Sequence, residues 1–170
     1  CDGAFFKGKT TAVIGGGDVA IEDAIFLARM CSKVYLIHRR DELRGAKSLQ
    51  NRLMSLDNVE VIWDTVVEEI VGSDKVEALK LNNKKTGEKS ELKVDGVFVA
   101  VGIEPDSGQY AGQVETDNQG YIIAGEDGRT SVDGVFAAGD VRTKALRQII
   151  TAAADGANCI TSAQSYLTRI

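Results

Sequence analysis

The stretch KTTAVIGGGDVAIEDAIFLARMC, Lys9 to Cys31, decides the fold. Residues 9–14 are apolar and β-branched, as in a buried strand, and run straight into three glycines. From Asp18 to Cys31 the apolar residues Val19, Ala20, Ala24, Leu27 and Ala28 recur at helical spacing. The sequence therefore predicts strand, glycine turn and helix in immediate succession. Gly15 lets the strand turn sharply, Gly17 leaves no side chain in the path of a phosphate, and Ala20 lets the helix sit close to the strand. A helix N-terminus opening at Asp18 offers free N–H groups and a positive dipole end to an anion. GxGxxA alone also describes an ordinary strand-to-helix turn, but between these two elements it has the context of a dinucleotide-binding fingerprint. Gly15, Gly16, Gly17, Asp18 and Ala20 are candidate pyrophosphate-binding residues.

Working outward, residues 34–37 form a second short strand, and a helix is expected over 46–56 with Leu49, Leu53 and Leu56 on one stripe. Residues 59–63 form a third strand. This β-α-β-α-β alternation is the first half of a dinucleotide-binding sheet. The rhythm then changes to short strands at 65–71, 76–81 and 90–94 joined by polar turns, of which Lys84-Lys85-Thr86-Gly87 is the clearest. That pattern reads as an antiparallel meander. Residues 97–101 return to an apolar strand.

The second strand ends in HRRDELR, His38 to Arg44. An NAD site usually places a carboxylate here, to bond the ribose 2′-hydroxyl. This chain has His38, Arg39 and Arg40 instead, with Arg44 one helical turn later, a set of donors that matches a dianionic 2′-phosphate. The reading is NADPH in preference to NADH. The plain alternative is a solvated basic loop balanced by Asp41 and Glu42. His38 reads as a positioning or stacking residue.

The composition fits a local basic device. With 20 Lys and Arg against 25 Asp and Glu, the net charge of −5 argues against a nucleic-acid surface. A chain of 170 residues, 44% of them hydrophobic, can bury a substantial core. No apolar run approaches the ~20 residues that cross a bilayer. Three widely spaced cysteines, Cys1, Cys31 and Cys159, do not suggest a disulfide framework. No metal-ligand cluster is apparent, no membrane association is expected, and a cytoplasmic location is the default. Cys31 and Cys159 read as buried structural thiols.

A boundary is placed near Gly102, shortly before the only proline, Pro105. Beyond it the chain is rich in Gly and Asp, with strands expected at 121–123 and 135–137. A final helix is expected over 147–168, with an apolar line through Ile149, Ala153, Ile160, Ala163 and Leu167 that should pack against something. In TSVDGVFAAGD, Thr130 to Asp140, a strand ending in small residues presents the Asp140 carboxylate at its C-terminal edge. Asp140 could bond a sugar or ribitol hydroxyl, or equally cap a helix.

GVFVAVGIEP, TSVDGVFAAGD and RQIITAAADG, taken with GGGDVA, HRRDELR and the opening CDG, closely resemble the C-terminal half of bacterial-type thioredoxin reductases of low molecular weight. The resemblance spans essentially the whole chain. It implies an α/β fold: a Rossmann-like NAD(P)-binding domain with an antiparallel meander, followed by the C-terminal part of a split FAD-binding domain. The implied organisation is residues 1–5 as the remnant of a redox CxxC and hinge, 6–102 as the NADPH domain, and 103–170 as the FAD-domain portion. Cys1 then resembles the flavin-facing cysteine of the CxxC, and Asp2 the acid that shuttles a proton in thiol–disulfide exchange. Gly102 and Gly139 fall at cofactor-lining positions, Asp140 would bond the FAD ribitol, and Arg147 and Gln148 would lie near the isoalloxazine. The implied cofactors are NADP(H) and FAD, the implied partner is thioredoxin or a thioredoxin-like protein, and the implied assembly is a homodimer.

The first cysteine of the CxxC and the N-terminal FAD motif of that family do not occur in this sequence. The chain is therefore expected to be a piece of something longer, inactive alone, with apolar surface exposed on its last helix. Two alternatives stay open: a nucleotide-binding module without turnover, and a related flavoprotein disulfide reductase such as the NADH-linked one of alkyl hydroperoxide reductase. HRRDELR speaks against the second.

Overall fold

The computed structural model describes residues 2–169, and the chain divides into two compact units, one ending at Gly102 and the other beginning at Ile103.

The first unit opens with a 3-10 turn, Asp2–Phe6, followed by β1 (Thr10–Gly15), α1 (Asp18–Ala28), β2 (Lys33–Ile37), α2 (Lys47–Met54) and β3 (Val59–Ile62). The meander is β4 (Thr65–Gly72), β5 (Val76–Asn83) and β6 (Lys89–Lys93), and the unit closes with β7 (Gly96–Ala100). Four strands make a parallel sheet in the order β3-β2-β1-β7; the meander is a separate antiparallel sheet, β4-β5-β6. This is the dinucleotide-binding strand order, with the meander inserted between the third and fourth strands of the sheet.

Alternation along the strands explains both faces of the parallel sheet. Val13, Val34 and Leu36 point into a core shared with Ala20, Ile21, Ala24 and Leu27 of α1 and Leu53 of α2. Their neighbours Ala12 and Ile37 point the other way, onto Leu79 and Leu81 of the meander. The parallel sheet is thus buried on both faces, which is why its strands read as continuous apolar runs. Each fully buried Leu, Ile or Val contributes roughly 1.5–3 kcal/mol. Cys31 is buried in the helical core, its thiol donating to the Phe6 carbonyl at 3.4 Å.

Two details of α1 differ from the sequence reading. The helix ends at Ala28, not Cys31, where the N–H groups of Arg29 and Met30 tighten onto the carbonyls three residues back, Phe26 and Leu27. Val19 is 64% exposed and takes no part in the core. It sits exposed in the first turn, next to the buried Ala20 and Ile21.

In the second unit, 3-10 turns at Gly108–Tyr110 and Gly139–Val141 precede α3 (Ile149–Leu167). The strands expected at 121–123 and 135–137 do not form. Only single bridges occur there, Thr116 with Ile122, Ile122 with Arg142, and Arg129 with Phe136. Turn chemistry takes the remaining hydrogen bonds: the Asp117 carboxylate accepts from the Gln119 and Tyr121 amides, and the Thr130 hydroxyl donates toward the Val135 carbonyl.

The last helix exposes apolar surface, as expected, and its apolar line packs against nothing among the described residues. Ile149 (91% exposed), Ile160 (72%) and Leu167 (66%) point outward, while the buried residues of α3 are Asp155 and Ser162. The apolar line is open surface within the described residues, and the inward face is polar.

Candidate functional site

The turn after β1 is shaped by contacts that leave little choice of residue. Gly15 has φ of +155°, and a Cβ there would run into the Ala100 carbonyl and the Ala20 methyl. At Gly16 a Cβ would overlap the His38 ring, so the imidazole lies directly against the turn. Gly17 is different: nothing lies within 4 Å of where its Cβ would be. The open side of the turn is at Gly17, the N-cap of α1, which supplies no side-chain cap. The first-turn N–H groups of α1 therefore face that opening without a protein acceptor. A ligand with anionic oxygens could satisfy them.

Asp18 does not face the opening. Its Oδ1 accepts the Ala46 N–H at 2.7 Å. The N–H groups of Arg44 and Gly45 donate to the Gly16 carbonyl at 2.8 and 3.3 Å. From the other side, Gln50 of α2 donates through Nε2 to the carbonyls of Leu43 (3.2 Å) and Gly45 (2.7 Å). The basic loop is thereby docked on the glycine turn. Sequence reasoning missed this tether and the part of Gln50.

Arg39, Arg40 and Arg44 are all exposed. Among the described residues none of their guanidinium groups is in an ion pair, so Asp41 and Glu42 do not neutralise them. His38 is buried, its N–H donating to the Ile62 carbonyl and its carbonyl accepting from the Thr65 N–H, both at 2.9 Å. Its Nε2 has no hydrogen-bond partner. Burial pushes the imidazole below its ordinary pKa; the carbonyls of Gly15 and Glu42 oppose this, and Arg44 and Arg39 reinforce it.

The remaining candidates in the described residues lie elsewhere. Asp2 begins the first 3-10 turn, Gly102 ends the first unit, and Cys1 lies outside the described residues. In the second unit Asp140 is exposed within the turn Gly139–Val141, without an internal hydrogen bond among the described residues. It caps no helix: Ala138 is the cap of that turn, and Gln148 the cap of α3. The Gln148 N–H donates to the Thr151 hydroxyl at 3.1 Å. The Arg147 guanidinium lies 3.9 Å from the centre of the Tyr121 ring, and its Nε is buried without a partner.

A buried charge cluster holds this segment. The Asp155 carboxylate accepts from Arg142 through Nε (2.9 Å) and a terminal nitrogen (2.6 Å), from Lys144 Nζ (2.7 Å) and from the Gly139 N–H (2.9 Å). Arg142, foremost among these, holds the carboxyl well below the ordinary carboxylate range. Sequence reasoning missed the cluster. Its signal was present: Asp155 is the one charged residue in α3.

Among the described residues no group of His, Cys, Asp and Glu could hold a metal ion, and no helix is long and apolar enough to cross a membrane.

Comparison with known proteins narrows what such a cradle is for. A thioredoxin reductase of Listeria innocua is 45% identical over 171 residues, covering 100% of this chain and 54% of its own length. One from Bacillus subtilis is 44% identical with the same coverage. The chain thus spans about half the length of the curated relatives it matches. Among solved structures, the thioredoxin reductase of Streptococcus pyogenes superposes with a TM-score of 0.88 at 46% identity, over 100% of this chain and 56% of that one. The family model described as pyridine nucleotide-disulphide oxidoreductase matches residues 3–156. With nine-tenths of its length inside that match, the chain belongs to the pyridine nucleotide-disulphide oxidoreductase family.

Proposed function

We propose that residues 6–102 bind NADPH and residues 103–170 contribute the C-terminal portion of an FAD-binding domain, in a flavoprotein disulfide reductase that reduces thioredoxin. The observation that carries this reading is the uncapped glycine turn joined by hydrogen bonds to a loop of three unpaired arginines. A pyrophosphate and a 2′-phosphate on one ligand would satisfy both ends of that arrangement.

On this reading each residue has a role. Gly17 leaves room for the pyrophosphate, the first-turn N–H groups of α1 receive it, and Arg39, Arg40 and Arg44 receive the 2′-phosphate. Asp18 holds the loop against the turn so that the two subsites keep their spacing. The second unit offers a fitting pair for FAD: the exposed Asp140 carboxylate can accept from a ribitol hydroxyl, and the orphaned Arg147 Nε can donate to a ring carbonyl or nitrogen. When bound, FAD supplies the relay between a nicotinamide hydride and a disulfide. Cys1 would be the flavin-facing thiol and Asp2 the group that moves a proton beside it. Thioredoxin as acceptor, a homodimeric assembly and a cytoplasmic setting belong to the same reading.

Calorimetric titration of the chain with NADP⁺ and NAD⁺ tests the nucleotide half. NADP⁺ should bind at least about tenfold more tightly, by an advantage that shrinks as salt screens the arginines. Equal affinities would overturn the 2′-phosphate assignment.

A further inference from the structure

The chain contains one histidine, and it is not on the surface of the nucleotide cradle but beneath it. The His38 ring lies so close under Gly16 that no side chain could stand at that position. A neutral imidazole has a single N–H, and here Nε2 is left buried without a partner. Burial holds the ring toward the neutral form, and the carbonyls of Gly15 and Glu42 only partly oppose it. Among the described residues the ring thus has neither a partner for Nε2 nor a counter-charge.

The charged groups around it explain that lack. From the loop, Arg39 and Arg44 disfavour a further positive charge, and Glu42 contributes its carbonyl. From α1, the Asp18 carboxylate is engaged by the Ala46 N–H. From β3 and β4 the ring's own backbone meets only the Ile62 carbonyl and the Thr65 amide, and the turn between them carries Asp64. No carboxylate pairs with the imidazole among the described residues. An anion at the Gly17 opening would lie one residue along the turn from Gly16, the glycine that meets the ring.

Building on the nucleotide reading above, we propose that His38 is a positioning residue that props the pyrophosphate turn from below and takes up a proton when a dinucleotide pyrophosphate occupies it. The proton comes from solvent and is released when the nucleotide leaves. By linkage, nucleotide binding then tightens as pH falls through the titration range of His38.

A single histidine makes the test direct. The imidazole proton resonance of the 170-residue chain is followed against pH, free and saturated with NADP⁺, while the phosphorus resonance of the 2′-phosphate is followed in parallel. In the complex the His38 midpoint should rise by about one pH unit, making NADP⁺ bind about tenfold more tightly below the transition than above it. If NADP⁺ shifts the amide signals of Gly15–Gly17 while the His38 midpoint stays in place, the proton-uptake proposal is wrong and the nucleotide reading survives. If NADP⁺ shifts neither, both fall. His38→Asn should bind NADP⁺ with no pH dependence beyond that of the 2′-phosphate itself; an unchanged profile in that variant would also overturn the proposal.

Discussion

The Asp18 carboxylate and the Ala46 amide, 28 residues apart, are joined by a 2.7 Å hydrogen bond that fixes the basic loop to the first turn of α1. An acid in that position could be read as a repulsive charge beside an anion site or as a tether, and two substitutions separate these. Asp18→Ala removes tether and charge together and should weaken NADP⁺ binding by about tenfold, the worth of one hydrogen bond to a charged group. Asp18→Asn keeps an acceptor oxygen and should retain most of the affinity. Calorimetry on both variants decides; an equal gain of affinity in the two would mean that the repulsive charge, not the tether, matters.

Arg39→Ala combined with Arg40→Ala should lower NADP⁺ affinity by roughly ten- to a hundredfold, since each charge-assisted hydrogen bond contributes about 1.5–3 kcal/mol before solvent screening. NAD⁺ affinity should scarcely change. Melting temperature should stay put as well, because both side chains are exposed and unpaired.

Adjacent glycines should behave in opposite ways. Gly16→Ala drives a methyl into the His38 ring and should lower the melting temperature by several degrees. Gly17→Ala places its methyl in open space and should leave the melting temperature unchanged while reducing nucleotide binding. Loss of stability in Gly17→Ala would show that the opening is not where a ligand sits.

Acid should loosen the second unit through Asp155. Its folded-state pKa is depressed, chiefly by Arg142, so its contribution to stability is complete above the unfolded value of about 3.9 and is lost as pH falls below that. Asp155→Asn should abolish that acid-dependent component. Breaking a buried pair on one side costs about 3–5 kcal/mol, so this variant should also be markedly less stable at neutral pH. Chemical denaturation of both proteins between pH 2 and 7 measures the difference.

The architecture was legible wherever a residue's own chemistry dictated its place. Val13, Val34 and Leu36 belong to strands buried on both faces, and such strands announce themselves as unbroken apolar runs. The strand, glycine turn and helix were legible for a similar reason: a few adjacent residues complete them. What escaped were features made by distant partners. Nothing in an isolated Asp155 says that Arg142 and Lys144 will close around it, and nothing in Asp18 points to Ala46. Val19 fits an apolar stripe by spacing, yet it stands exposed beside Ala20 and Ile21, which take the buried face of the first turn of α1. The short apolar runs near Tyr121 and Val135 match a strand by composition, but strands need neighbours, and turns had already claimed the Tyr121 N–H and the Val135 carbonyl.

The position of β7 beside β1 has a bearing on how the chain comes to be folded at all. Thr10 and Asp95, 85 residues apart, lock the two strands together, whereas β2 reaches the opposite side of β1 after a single helix. Closing so long a stretch carries a larger entropic penalty than any other pairing in this sheet. As the chain is synthesised, β1, β2 and β3 can assemble early, but one flank of β1 stays unprotected until the whole meander has emerged. An unpaired strand edge is a template for the wrong neighbour. The interval between the birth of β3 and the arrival of β7 is when this molecule is most open to aggregation, and a chaperone that shields β1 would act during that interval.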